Sequence, residues 1–176
     1  MKRATATAAR ATDLVSCLDQ MAKLPSRRLA LRPTEVVTHH DSGQGLNAVC
    51  ARDEPRRLLP DVLGCPVREL SETSVCCGFG GAFSFDFPAV AKRLLDSKFD
   101  DAEGIGAKTV VTDYQGCFLH LRAGCDAKSR RLEGLYGAEV LAEHFKCVER
   151  DSPKSGHRQA PRWNTLVDGE TGVRHS

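Results

Sequence analysis

The run Cys76-Cys77-Gly78-Phe79-Gly80-Gly81 sets two adjacent thiols before three glycines in four positions. Glycines let the backbone take positive φ and come close to a bulky cofactor, leaving amides free to bond to sulfur. Such bonds stabilise thiolates and tune the potential of a metal cluster. A third thiol, Cys117, follows Gly116 and stands three residues before His120. That C-x-x-H spacing lets two side chains in a turn or first helical turn address one metal centre. Read singly, each piece has a plainer meaning: a glycine turn beside two buried thiols, and a solvated or capping histidine. His39 and His40, ahead of Asp41 and Ser42, read as hydrogen-bonded loop histidines.

The chain has 8 cysteines in 176 residues, and compartment decides whether they form bridges. The start MKRATATAAR has basic residues but no apolar core of a secretory signal, so the expected location is the cytoplasm, with reduced thiols. An Arg-, Ala- and Thr-rich start also fits an organellar transit peptide. Reduced clustered cysteines point to a metal, an iron–sulfur centre or thiol redox chemistry. No apolar run approaches the length of a membrane span. The net charge of +2 is too small to argue for nucleic acid, although residues 1–33 carry seven Lys/Arg against two Asp.

The elements that must position these residues follow from periodicity. Ala8, Ala11, Leu14, Val15, Leu18, Met21 and Ala22 recur at helical spacing from Thr5 to Leu24, ahead of Pro25. Glu35 to Thr38 reads as a strand that runs into the loop His39 to Gly45. A helix is predicted over Arg56 to Leu63 and a second strand over Pro66 to Leu70, before a loop from Ser71 to Gly81. Asp86 and Pro88 open a helix that continues through Val90, Leu94, Leu95, Phe99 and Ala102 to Gly104. Lys108 to Thr112 is the clearest strand and runs into a polar loop carrying Gly116 to His120; a last helix is predicted over Gly137 to Phe145. Alternating strands and helices give a single α/β domain, a short, mainly parallel sheet flanked by helices, with the three unusual loops leaving strand ends along one edge. The expected division is an N-terminal helix and basic segment at 1–33, the cysteine-rich domain at 34–147 and a disordered tail at 148–176.

Val36-Val37-Thr38-His39-His40-Asp41-Ser42-Gly43, CCGFGGAFS at 76–84, Thr109 to Cys117 and Ala138 to Ala142 resemble, in order and spacing, the cysteine-rich CCG domain. This family includes the lactate-utilisation A protein, the glycolate oxidase iron–sulfur subunit and the heterodisulfide reductase B subunit. The resemblance covers roughly residues 10–146. It implies an α/β domain whose cysteine loops hold a metal centre: an iron–sulfur cluster of the 4Fe-4S type, or zinc as the alternative. Cys76, Cys77 and Cys117 match cluster ligands, with Gly78 and Gly80 against the cofactor and His120 at the position of the family's last cysteine. A histidine there suits iron or zinc and would raise a cluster's potential. Gly43 stands where the family has its first cysteine, 33 positions before Cys76, and cannot ligate through a side chain.

The resemblance implies electron transfer in an oxidoreductase complex that oxidises a 2-hydroxy acid such as lactate or glycolate. The partners are other iron–sulfur and flavin-containing subunits, because one small domain has no substrate oxidation centre of its own. The competing expectation is a zinc-bound or metal-free scaffold that keeps only assembly contacts; a third is thiol redox by Cys76 and Cys77. Cys50 is a replacement ligand only if its loop swings in, and Cys17, Cys65, Cys125 and Cys147 match no family ligand. The pairs Arg27-Arg28, Arg56-Arg57 and Arg130-Arg131 read as solvated faces, and Trp163 as part of the disordered tail.

Overall fold

A computed structural model of the chain describes residues 12–21, 35–63, 66–128 and 131–142. The valine-rich segments are strands: Val36–His39 (β1) and Ala107–Thr112 (β3) run in parallel, with Thr38 opposite Val110 and His39 opposite Val111. Val67–Arg68 (β2) pairs with the other edge of β1, and Glu133–Tyr136 (β4) with the other edge of β3. The order is β2-β1-β3-β4 with every pairing parallel. Parallel neighbours require crossovers, which helices supply. Gly43–Ala48 (α2) and Asp53–Leu63 (α3) lead from β1 to β2, Phe83–Asp86 (α4) and Pro88–Gly104 (α5) precede β3, and Gln115–Lys128 (α6) joins β3 to β4. Leu14–Met21 (α1) comes before the sheet.

The two-residue period of a strand sends successive side chains to opposite faces. Val110 packs with Leu95 and Phe99 of α5 and with Leu121 of α6. Val111 packs on the other face with Val37, with Val15 of α1 and with Leu58, Leu59 and Val62 of α3. Both faces are covered, as the near-continuous apolar run in β3 requires. Burying a side chain such as Phe99 or Leu59 contributes about 1.5–3 kcal/mol. The expected α/β class, with a parallel sheet between helices, is the observed one.

Several boundaries differ from the sequence reading. The polar stretch after β3 is a loop only for Asp113 and Tyr114; from Gln115 it is helix α6, so Cys117 and His120 sit in early helical turns. The loop after β1 is cut short by α2, whose start is capped by Ser42 Oγ accepting from the Gly45 amide at 2.9 Å. β4 has no counterpart in the sequence reading. Thr12 and Asp13 precede α1, with Asp13 Oδ1 accepting from the Ser16 amide at 3.0 Å. Residues 137–142 are helical, as expected from Gly137 onward. The expectations for residues 1–11, for 22–34 with Arg27-Arg28, for Cys65, Arg130 and Cys147, and for the tail with Trp163 lie outside the described residues.

Candidate metal centre

From β1 the chain passes first to β2 on one side and later to β3 on the other. In parallel sheets the crevice at such a reversal, beyond the carboxyl ends of the two strands, is where ligands gather. β1 extends one residue past its formal end: the His40 amide donates to the Val111 carbonyl at 2.8 Å, and Thr112 Oγ1 donates to the His40 carbonyl at 3.1 Å. Strand parity then sends His39 and His40 to opposite faces.

His39 lies on the α1 and α3 side. Its Nε2 is 2.8 Å from Asp113 Oδ2 and its Nδ1 3.1 Å from Asp41 Oδ1. Burial works against its charge most strongly, but the hydrogen bonds and negative charges of Asp113 and Asp41 outweigh it and lift the imidazole to about 9. Asp41 also accepts two bonds from Arg56, at 3.0 and 2.9 Å, and Arg56 in turn holds Glu69 at 2.6 and 2.8 Å. Burial alone would raise the Asp41 carboxyl; His39 and Arg56 hold it well below the ordinary range. A cavity of about 180 Å³ opens beside this network, lined in part by His39, Asp41, Ser42 and Asp113.

His40 lies on the other side, with the thiols. One atom each of His40, Cys77 and Cys117 lies within 4.8 Å of the others, and these residues are only 1%, 0% and 5% exposed. Neither ring nitrogen of His40 has a hydrogen-bond partner. Leaving a buried polar group unsatisfied costs about 1–3 kcal/mol. A cation bound by sulfur and nitrogen answers that cost, and two thiols with an imidazole are a donor set that suits zinc or iron. Burial pushes the His40 imidazole down to about 4, so at neutral pH the ring is uncharged and one of its nitrogens has a free lone pair.

Cys76 stands at the exposed side of this group. Its Sγ accepts from the Gly78 amide at 3.4 Å, the kind of amide-to-sulfur bond that the glycine run favours. Its thiol is pushed up by a hydrogen bond with Cys77, and Cys77 is pushed up to about 11 chiefly by its bond with Cys117. The same bond lowers Cys117. The thiols therefore form a hydrogen-bonded row from Cys76 through Cys77 to Cys117. Lys98, 1% exposed and donating to the Glu72 carbonyl at 2.7 Å, is close enough to Cys77 and Cys76 to feel their charge. Gly78 has φ +92°, and a Cβ there would lie 2.5 Å from the Ala91 carbonyl oxygen, so the loop is seated directly on α5.

The sequence-derived ligands are thus brought together in part. Cys77 and Cys117 are in the three-residue group, with Cys76 bonded alongside; His120 is not. The His120 ring is bonded to the Ala91 backbone and rests 6.2 Å from the Phe79 ring, with a buried Nε2 that has no partner. The reading of His40 as a hydrogen-bonded loop histidine is corrected: His39 fits that description and His40 does not. Cys50 is exposed beyond α2, Cys17 is half-buried on α1, and Cys125 is buried in the core. Arg56, read as a solvated residue, is instead the partner of the buried Asp41.

Residues 38–122 match the family model of the cysteine-rich domain CCG. That segment belongs to the CCG family. Among curated proteins, the chain is 29% identical over 109 residues to Lactate utilization protein A 2 of Bacillus cereus (strain Q1), an overlap of 62% of this chain and 45% of that protein. It is 30% identical over 129 residues to Lactate utilization protein A 1 of Bacillus cereus (strain AH820), covering 73% of this chain and 50% of that one. The chain spans about half the length of these relatives. No solved structure matches it. The CCG segment encloses every residue of the thiol group together with Gly43, which lies exposed in the first turn of α2 with only Asn47 Nδ2, at 3.9 Å, near a would-be Cβ. No helix among the described residues is long and apolar enough to cross a membrane.

Proposed function

We propose that this CCG domain holds an iron–sulfur cluster of the 4Fe-4S type and passes electrons within a cytoplasmic oxidoreductase complex that oxidises a 2-hydroxy acid such as lactate or glycolate. The observation that carries this reading is the row Cys76, Cys77 and Cys117, gathered at the carboxyl ends of β1 and β3 in a domain whose relatives are lactate utilization proteins. When bound, such a cluster supplies one-electron chemistry at a potential set by its ligands, charge and burial. The protein's part is to hold the thiolates, offer them the Gly78 amide and the nearby Lys98 charge, and limit access by water. Gly80 keeps the loop turned with φ +50°. The domain works with other iron–sulfur and flavin-containing subunits. Phe85 of α4, Phe87 between α4 and α5, Val90 of α5 and Leu119 of α6 are exposed near the two sources of thiols, and such apolar exposure suits a partner.

The test is iron, acid-labile sulfide and zinc content of anaerobically purified protein, with electron paramagnetic resonance of oxidised and reduced samples. Iron with sulfide, lost on Cys76→Ser or Cys117→Ser, is the expected result. Zinc alone, or no metal after reconstitution, would sink the electron-transfer role. It would favour a second reading, a zinc-bound or metal-free scaffold, for which the mixed nitrogen and sulfur group and the side-chain-free Gly43 speak.

A further inference from the structure

We propose that His40 is the nitrogen ligand of this metal site, acting with Cys77 and Cys117 and with Cys76 at the open side. The inference deepens the reading above, resting on it only in that the thiol group binds a metal, and it replaces His120 in that role.

Three independent features of His40 lead to it. Its side chain is 1% exposed, yet both ring nitrogens lack any hydrogen-bond partner, sulfur included. A histidine kept for packing alone would leave a large desolvation cost unanswered, where an apolar residue of similar size would not. A ring atom of His40 already lies within 4.8 Å of Cys77 and Cys117 Sγ, so ligation needs only small adjustments of three side chains. The backbone that carries it is pinned on both sides, its amide by Val111 and its carbonyl by Thr112. A ligand fixed to a strand end by two bonds to the neighbouring strand is preorganised, which tight metal sites require.

The neighbouring histidines serve as internal contrasts. His39, one residue away, has both nitrogens engaged by Asp113 and Asp41 and faces the other side of the sheet. His120 has its ring against Phe79 and a bond to the Ala91 backbone, and it stands outside the group. Cys76 is hydrogen-bonded to Cys77 and close enough to His40 to sense its charge. It is the thiol through which solvent or a further metal atom reaches the site.

The experiment is anaerobic titration of the reduced, metal-free full chain with cobalt(II), followed by zinc competition. The wild type is expected to give thiolate-to-cobalt charge-transfer and tetrahedral ligand-field bands. Loss of residues that merely orient ligands weakens metal binding about 10–100-fold, so His40→Ala should weaken it at least about 10-fold. His120→Ala should bind as wild type. His40→Cys should keep tight binding while its bands move toward those of a site with one more thiolate. If His40→Ala does not fold, that band shift decides: an unchanged His40→Cys spectrum overturns the proposal. So does wild-type affinity in a folded His40→Ala, loss of binding in His120→Ala with His40→Ala intact, or a wild type that takes up no cobalt. The two readings separate cleanly. Cobalt and zinc bound through His40 without any iron–sulfur cluster would leave this inference standing and remove the electron-transfer role; a cluster indifferent to His40 would do the reverse.

Discussion

The Phe79 ring occupies the space that a side chain at position 116 would need: a Cβ built on Gly116 would fall 2.2 Å from Phe79 Cε1. Phe79 belongs to the cysteine loop, and Gly116 precedes Cys117 in the first turn of α6, so this contact sets the distance between the two sources of thiols. Gly116→Ala must push Phe79 away or displace the helix start, and overpacking of this kind costs about 1–3 kcal/mol. We expect urea denaturation to show that loss, along with weaker metal binding. Phe79→Leu added to Gly116→Ala should recover part of both, because it removes the colliding ring atoms. A double variant no better than the sum of its parts would contradict the interlock.

Gly78 and Gly81 both have positive φ, +92° and +62°, but differ in surroundings. A Cβ on Gly78 meets the Ala91 carbonyl oxygen at 2.5 Å, whereas one on Gly81 meets nothing within 4 Å. Gly81→Ala should therefore cost only the backbone strain, about 1 kcal/mol. Gly78→Ala adds a collision with helix backbone and should cost about 2–4 kcal/mol in all, with loss of the amide-to-Cys76 bond. Thermal denaturation of the two variants side by side checks the order, and equal losses would mean that the loop does not rest on α5 as described.

The sheet could be read in advance because its two central strands are short runs of valine and threonine, and the reversal between them fixed where the unusual loops would meet. What escaped the sequence has physical reasons. Helix α6 carries Gly116 and Gly124, which weaken a helical pattern; they are there because Phe79, Leu95 and Phe99 fill the space of their side chains, a Cβ on Gly124 lying 2.6 Å from Leu95 Cδ2. β4 reads EGLY, without a β-branched residue, and forms because β3 offers it an edge. His39 and His40 look alike in sequence. Only the extension of strand geometry through residue 40 separates a histidine held by carboxylates from one facing thiols.

Arg56 reaches Asp41 with two guanidinium bonds while its other hydrogen bonds go to Glu69 and to the Arg52 carbonyl. The carboxylate is 2% exposed and the guanidinium 19%, against 51% for Glu69, so the Asp41 half matters most. Removing the arginine leaves a buried carboxylate answered by His39 alone. We expect Arg56→Ala to cost about 3–5 kcal/mol, the range for stranding one member of a buried pair. Arg56→Lys should recover only part, since an ammonium cannot make the paired fork. Glu69→Gln should cost under about 1 kcal/mol, as for an exposed pair. Chemical denaturation of the three variants tests the ranking, and a harmless Arg56→Ala would show the pair to be surface decoration.

His39 should make the stability of the metal-free, reduced protein depend on pH near neutrality. Its folded-state imidazole, held by Asp113 and Asp41, titrates at about 9 against an ordinary value of 6.5. Between those two values the folded state binds a proton that the unfolded chain has released, so stability falls as pH rises. The contribution is complete below pH 6.5 and is lost as pH rises through about 9. A single proton limits the slope to about 1.4 kcal/mol per pH unit. Measurements from pH 7 to 8 lie above the ordinary histidine range, where buried His40 adds an opposite slope, and below the midpoint of about 8.5 at which free thiols ionise. We expect urea midpoints of the wild type to decline across this window and those of His39→Gln, less stable throughout, to stay nearly flat. A wild type whose midpoint holds steady or climbs would mean that His39 binds no extra proton in the folded state and is neutral between its carboxylates.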